Sequence, residues 1–176
     1  MPFNTTADAV DRESAWLNTT ANDGLPVLPS SSGGKWDLVQ AYVPRTPAAR
    51  KAQIWVTRSD FAVEREGFVR SMPTYAIVLR LLWPLSSGSG KSEDDQRAFD
   101  AAIHDVVMRV RGIPPGVTAT NPTGVADKSH GGAFLSAAEN PSRVEVRQTP
   151  ADESVHAGAF FEARIVYAID DFDFND

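Results

Sequence analysis

The sequence contains no cysteine, and this absence excludes disulfide bonds, thiolate zinc sites and cysteine nucleophiles together. Long hydrophobic runs are also missing: the longest, residues 76–85, is interrupted by Arg80 and is too short to cross a bilayer. The chain begins without the basic region and apolar core of a signal peptide. We therefore expect no membrane partner, and the lack of thiols agrees with a reducing compartment.

Basic residues are in the minority, with 17 Lys and Arg against 23 Asp and Glu and a formal net charge of -6. A chain with this balance is poorly suited to wrapping nucleic acid, because phosphate binding needs clustered Lys and Arg side chains. Hydrophobic residues make up 42% of the 176 residues, which is enough for one domain with its own core. We expect a single domain over residues 1–176.

Two helices are predicted. Residues 7–17 form a short N-terminal helix, and residues 93–111 form the main helix, with Ser92 as its N-cap. Apolar residues of the main helix recur at helical spacing on one face, and Gly112 ends it. Its first turn is acidic, as the helix dipole favours, and its other polar residues are expected to face away from the core. The acidic residues of the first turn are Glu93, Asp94 and Asp95. The residues expected to face away from the core are Arg97, Asp100, Asp105, Arg109 and Arg111.

Alternating β-branched and aromatic residues predict six strands, of which residues 75–85 form the strongest and most central one. The others are 36–43, 52–57, 61–70, 143–147 and 160–169. We expect a flexible arm at 18–35, which is rich in Ser, Gly and Pro, and an acidic solvated tail at 170–176. The predicted fold class is α+β: a mostly antiparallel or mixed β-sheet, with the main helix (about 93–111) and the short N-terminal helix packed on one side.

One segment resembles a phosphate-binding loop, since Ser86 to Ser92 reads Ser-Ser-Gly-Ser-Gly-Lys-Ser between a strand and a helix. Leu85 stands where such a loop needs a glycine to begin its wrap around the phosphates. The three carboxylates at 93–95 would repel a phosphate from the helix N-terminus. A solvated turn before an acid-capped helix is the favoured interpretation, and nucleotide binding through Lys91 is the alternative.

The histidines and the C-terminal carboxylates predict no catalytic or metal site. His104, His130 and His156 lack the i, i+3 or i+4 spacing of a helical metal pair, and His130 is expected to be a structural or exposed loop residue. The aspartates of 170–176 lack the glycine and distal glutamate of a calcium loop. We therefore expect no catalytic residue, no cofactor and no metal, and a protein that is not an enzyme.

The order of elements and several short phrases resemble the tail terminator proteins of long-tailed bacteriophages, especially those of actinobacterial phages. The resemblance covers residues 36–171. The phrases that carry it are Leu79-Arg-Leu-Leu-Trp-Pro-Leu85, a helix with Gln96, Phe99-Asp-Ala-Ala102 and residues 106–111 closing on Gly112, Asp127-Lys-Ser-His-Gly-Gly-Ala-Phe-Leu-Ser136, and Tyr167-Ala-Ile-Asp170.

This resemblance implies a small α+β subunit of a six-membered ring, without catalytic activity. Such a ring caps the tail tube, joins it to the head-side connector protein and lets DNA pass through its channel. The chain would be a virion protein of the head–tail junction, assembled in the host cytoplasm. A stopper, a tail completion protein or a tube protein of the same junction is the nearest alternative. A small nucleotide-binding protein and a small-molecule binding domain are the alternatives from other classes.

A ring needs two different complementary patches on each subunit, because its contacts are head-to-tail. The candidate contact residues are charged and fall into two sets. The basic set is Arg45, Arg50, Lys51 and Lys91, and the acidic set is Glu93, Asp94, Asp95, Asp170 and Asp171. A net negative charge also suits a channel through which DNA slides without binding.

Overall fold

The computed structural model describes residues 6–20, 24–45, 48, 50–65, 70–85, 92–114, 127–137, 145–149, 160–171 and 173–174. Two helices and seven strands lie within them. The helices are α1 (Thr6–Leu17) and α2 (Ser92–Val110). The strands are β1 (Leu38–Ala41), β2 (Gln53–Arg65), β3 (Arg70–Pro84), β4 (Ser136–Ala137), β5 (Glu145–Thr149), β6 (Phe160–Asp170) and β7 (Asp173–Phe174).

The strands form one sheet in the order β1-β2-β3-β6-β4, with β5 also paired to β6 and β7 to β3. β1 runs parallel to β2, and the other pairs are antiparallel, so the sheet is mixed. The long strand β3 is central, as the sequence predicts. Residues 53–65, which span parts of the two strands predicted at 52–57 and 61–70, form one strand, β2, which stays paired with β3 across an irregularity between Arg58 and Asp60, and Arg70 already belongs to β3.

The core lies between the sheet and the two helices. Tyr75, Ile77 and Leu79 alternate along β3 toward the helices, and each is at most 2% exposed. Phe99 of α2 lies among the aromatic rings of the sheet, with centroids 6.0 Å from those of both Trp83 and Phe161. Residues of α1 belong to the same buried cluster. The predicted α+β fold, with a main helix and a short N-terminal helix on one side of a mixed sheet, is therefore confirmed.

The end of α2 is fixed to a downstream turn by the close approach of Gly112 and Asp127. Gly112 has φ 61°, and a Cβ there would lie 2.1 Å from the carbonyl oxygen of Asp127. The amide of Asp127 donates to the carbonyl oxygen of Gly112 at 2.9 Å. Only glycine satisfies both the backbone angle and the distance, so the sequence signal for the end of the helix also places the residues that follow Asp127.

Within the expected arm at 18–35, residues 24–35 are anchored to the core. Leu25 and Leu28 are 7% and 0% exposed and belong to the core. The amide of Trp36 donates to the carbonyl oxygen of Leu28 at 2.9 Å, and the amide of Ser30 donates back to the carbonyl oxygen of Trp36 at 2.8 Å. Two leucines among Ser, Gly and Pro residues attach this loop to the core while residues 30–33 remain exposed, and composition does not predict this attachment.

Neither helix in the described part of the chain is long and apolar enough to cross a membrane.

Candidate functional site

The predicted contact residues are spread over several places in the fold. Arg45, Arg50 and Lys51 are exposed on the connection between β1 and β2. Glu93 and Asp94 are exposed at the start of α2, and Asp95 beside them is half-buried. Asp170 is half-buried at the end of β6, whereas Asp171 is buried. Lys91 lies outside the described residues.

The side of the sheet that faces away from the helices is called here the outer sheet face. Ile54 and Val56 point into the core between sheet and helices, so Gln53 and Trp55, which alternate with them, lie on the outer face. The same alternation puts Arg80 of β3 and Glu162 and Arg164 of β6 on that face, opposite their core neighbours. This face therefore carries several charged groups over a small apolar cluster of Trp55, Leu82 and Phe160.

The connection between β1 and β2 crosses the outer sheet face. Because these two strands are parallel, the chain must return from the end of β1 to the start of β2. Buried Gln53 holds this connection: its side-chain amide accepts from the amide of Ala48 at 3.1 Å and donates to the carbonyl oxygens of Ala48 and Lys51 at 2.7 and 3.2 Å. Arg50 and Lys51 are thereby placed on this side of the sheet.

Three arginines occupy directly opposed positions on neighbouring strands, and two of them, Arg80 and Arg164, lie on the outer face. Arg80 is directly opposite Arg164, and Arg164 is directly opposite Arg147 of β5. Arg80 makes two hydrogen bonds to Glu162, at 2.6 and 3.0 Å, and its guanidinium lies 5.3 Å from the ring centroid of Trp55. Like charges directly opposite each other destabilise a sheet, and Glu162 balances only one of them.

The start of α2 carries the opposite charge. Glu93 and Asp94 are exposed there, and Glu93 forms an i, i+4 ion pair with Arg97. Asp94 has no basic partner among the described residues. Asp11 on α1 and Asp100 on α2 are also exposed, so exposed carboxylates outnumber exposed cations on the two helices, whereas the outer sheet face carries charges of both signs.

The aspartates at the end of β6 do not form a solvated patch within the described residues. Asp171 is 2% exposed and accepts hydrogen bonds from the guanidinium of Arg12 on α1, which also lies 4.4 Å from the ring centroid of Phe134. Asp170 accepts from the hydroxyl of Thr74 at 2.7 Å. The expected solvated tail is therefore wrong at these two residues, which bind within the chain.

A buried polar network joins both helices and the sheet through Glu13, His130, Tyr167 and Arg109. Glu13 is 0% exposed and accepts a hydrogen bond from the hydroxyl of Tyr167. Its other oxygen lies 2.7 Å from Nδ1 of His130. Nε2 of His130 donates to the carbonyl oxygen of Val110 at 2.8 Å, because a carbonyl only accepts. Burial, followed by the charge of Glu13, raises the pKa of Tyr167 well above 10.

Arg109 completes the network and corrects the prediction that it faces away from the core. It is 0% exposed, and one of its terminal nitrogens donates to the carbonyl oxygens of Trp16 and Thr19, the second at 3.1 Å. Its guanidinium lies 4.4 Å from the ring centroid of Trp16, which stacks on His130 with centroids 3.7 Å apart. Burial lowers the pKa of Arg109 to about 10 despite the nearby Glu13, so the group remains protonated at neutral pH.

His130 owes its position to the turn that starts at Asp127. The carboxylate of Asp127 accepts from the amides of Ser129 and Gly131 at 3.1 and 2.7 Å. His130 between them has φ 51°, an unfavourable angle for a residue with a side chain. The turn thus holds a strained residue that inserts its ring into the core.

The buried polar network is suited to stabilising the fold rather than to catalysis. His130 is 1% exposed and Glu13 is 0% exposed, so a substrate has no contact with either group. Among the described residues, no group of three His, Asp or Glu side chains is arranged to hold a metal ion. The charged outer sheet face and the acidic helix layer are therefore the accessible features that a partner would meet.

Spacing in the sequence could have revealed the missed buried residues. Arg109 lies three residues after Val106, and Glu13 lies three after Val10, so each falls on the apolar stripe of its helix. Asp171 continues the core-facing alternation of Tyr167 and Ile169 along β6. Charge was the basis for predicting that Arg109 and Asp171 face solvent, and no role was predicted for Glu13. Comparison of the chain with known protein families and with curated proteins found no match.

Proposed function

We propose that this chain is a ring-forming structural subunit of a phage head–tail junction, and specifically a tail terminator. The ring would cap the tail tube and join it to the connector, without catalysis, metal or cofactor. The choice of a tail terminator among junction proteins is based on the resemblance in sequence over residues 36–171. The α+β fold, with helices on one side of a mixed sheet, agrees with what that resemblance implies.

The observation that carries the proposal is the separation of charge between two faces of the subunit. Arg50, Lys51 and Arg164 are exposed on the outer sheet face, and Asp94 and Asp100 are exposed on the helix layer. A two-fold dimer formed through either of these sets of residues would place the set against itself and bring its like charges together. A head-to-tail contact instead brings opposite charges together, and repeated around an axis it closes into a ring.

Nucleotide binding is less well supported. A phosphate at the N-terminus of α2 would meet the exposed carboxylates of Glu93 and Asp94 at the end of the helix that should attract it. Leu85 also replaces the glycine that begins a phosphate-binding loop. Titration with ATP and GTP tests this alternative: binding that is lost in Lys91→Ala would favour it over the ring.

Electron microscopy of the purified chain, alone and mixed with tail tubes, tests the proposal. A tail terminator should give single rings, or a cap at one end of each tube, whereas a tube protein should polymerise into long filaments. A strict monomer that leaves the tubes unchanged would overturn the proposal. Mass photometry of the same samples gives the number of subunits in each ring.

A further inference from the structure

We infer that the contact between neighbouring copies places the outer sheet face of one subunit, around Arg164, on the acidic start of α2 of the next, around Asp94. This inference rests on the proposed ring and names the two surfaces that build it. The partner is a second copy of this chain.

The basic side of this contact has positive charge that the chain itself does not balance. Arg164 is exposed and has no carboxylate partner among the described residues, and the same holds for Arg50 and Lys51. Of the carboxylates described on the outer sheet face, Glu162 is bound by Arg80 and Asp170 by Thr74, and Asp60 also has a partner. The face therefore offers several free cations to an acidic surface.

Repulsion between neighbouring cations makes the isolated subunit less favourable than one whose cations are paired. Arg164 is flanked in register by Arg80 on one side and by Arg147 on the other, so three arginine positions follow one another across β3, β6 and β5. Arg80 and Arg164, which lie directly opposite each other, repel unless anions lie between or above their side chains. Carboxylates from a partner would remove that repulsion, which gives the association a favourable electrostatic contribution.

The acidic side of the contact can place a carboxylate beside these arginines. Asp94 is exposed and unpaired among the described residues, and it stands in the first turn of α2 with Glu93 and Asp95. The turn is supported from below by Phe99, which is fully buried against Trp83 and Phe161. The exposed carboxylate of Asp94 thus stands on a helix that is already anchored in the core, which limits the entropic cost of association.

DNA is the other polyanion that could meet the arginine row. A second copy is favoured because the same chain supplies an acidic surface of matching kind, and because the net charge of -6 opposes approach to DNA over longer distances. A contact between exposed charges should also weaken with salt, since ions screen it over about 10 Å at 0.1 M.

Charge reversal on each side, alone and together, tests the inference. Arg164→Glu and Asp94→Lys should each raise the protein concentration at which half the chains are in rings by at least about tenfold. The combined variant restores an opposite-charge pair and should return to within about threefold of the original protein. Mass photometry measures the ring fraction, or electron microscopy counts capped tubes if rings form only on tubes.

Two control variants match the changes in charge. Arg111→Glu alters an exposed arginine beyond the end of α2, and Asp11→Lys alters an exposed aspartate on α1. Both should leave the ring fraction unchanged. Controls as harmful as the paired variants, or a combined variant no better than the worse single one, would overturn the inferred contact while leaving the ring itself intact.

Two further outcomes separate this contact from the alternatives. An original protein that forms neither rings nor caps would overturn the proposed function, and the contact with it. Tight binding of a short DNA duplex that is lost in Arg164→Glu but kept in Arg111→Glu would assign the arginine row to nucleic acid instead.

Discussion

The buried polar network and the outer sheet face differ in whether their charged groups are buried and bound within the chain. In the network, Glu13 and Arg109 are fully buried, and both are bound to groups of the same chain. On the outer sheet face, Arg164 is exposed and unpaired within the described residues. In the buried polar network, the charged groups make contacts that stabilise the folded chain. On the outer sheet face, the guanidinium of Arg164 remains available to a partner.

Burial decides which of these two uses a charge can have. A charge removed from water without a partner costs several kcal/mol, so buried groups must be satisfied within the fold. An exposed charge stays hydrated, and leaving it unpaired costs the subunit little. Substitutions in the two regions should therefore have very different effects on the stability of the monomer.

The largest effect is expected for Glu13→Ala. The substitution removes the carboxylate that contacts both His130 and Tyr167 and leaves both groups buried without it. Breaking a buried pair in this way costs about 3–5 kcal/mol. Urea unfolding followed by circular dichroism measures the loss, and Asp11→Ala, an exposed change on the same helix, should stay within about 0.5 kcal/mol of the original protein. A loss below about 1 kcal/mol for Glu13→Ala would contradict a stabilising role for the network.

The sequence predicted the helices and strands better than it predicted the buried polar network. Periodicity identified α1, α2, β3 and β6 because each buries a regular stripe of apolar residues. The same stripes include Glu13 and Arg109, but charged residues are usually exposed, so the charge of Arg109 led to the wrong prediction that it faces away from the core.

The partners of these buried charges could not be predicted from local pattern. Glu13 meets His130 across 117 residues and Tyr167 across 154. Such pairs depend on how helices and strands pack in three dimensions, and hydrophobic periodicity contains no information about that. The free charges on the outer sheet face were also visible only in part. Arg50 and Lys51 were identified as a basic loop, whereas Arg164 needed the strand register to show its neighbours.

A smaller effect at neutral pH, with a distinctive pH dependence, is expected for Tyr167→Phe. Losing the hydrogen bond to Glu13 should reduce stability by about 1–2 kcal/mol at pH 7. Because the folded protein holds the pKa of Tyr167 well above 10, the unfolded chain releases this proton first as the pH rises. The stabilisation by Tyr167 is therefore complete below pH 10 and decreases above it, by about 1.4 kcal/mol per pH unit.

Chemical unfolding at several pH values between 8 and about 11 measures this difference. The advantage of the original protein over Tyr167→Phe should shrink above pH 10. Arg109, whose pKa burial lowers to about 10, is present in both proteins, so its contribution cancels in the comparison. Tyr42→Phe removes an exposed tyrosine and is the matched control. A constant difference across the range would mean that the Tyr167 proton is not held by the fold.

The smallest effect, and of opposite sign, is expected for Arg164→Ala on the outer sheet face. Removing the middle position of the arginine row relieves its repulsion with Arg80, so the monomer should gain up to about 0.5 kcal/mol at low salt. The gain should vanish at about 1 M salt, where charges are screened within about 3 Å. Thermal unfolding at both salt concentrations, below the concentration at which copies associate, measures it. If Arg164→Ala instead destabilised the monomer as Glu13→Ala does, Arg164 would be structural, and the distinction between the two regions would not hold.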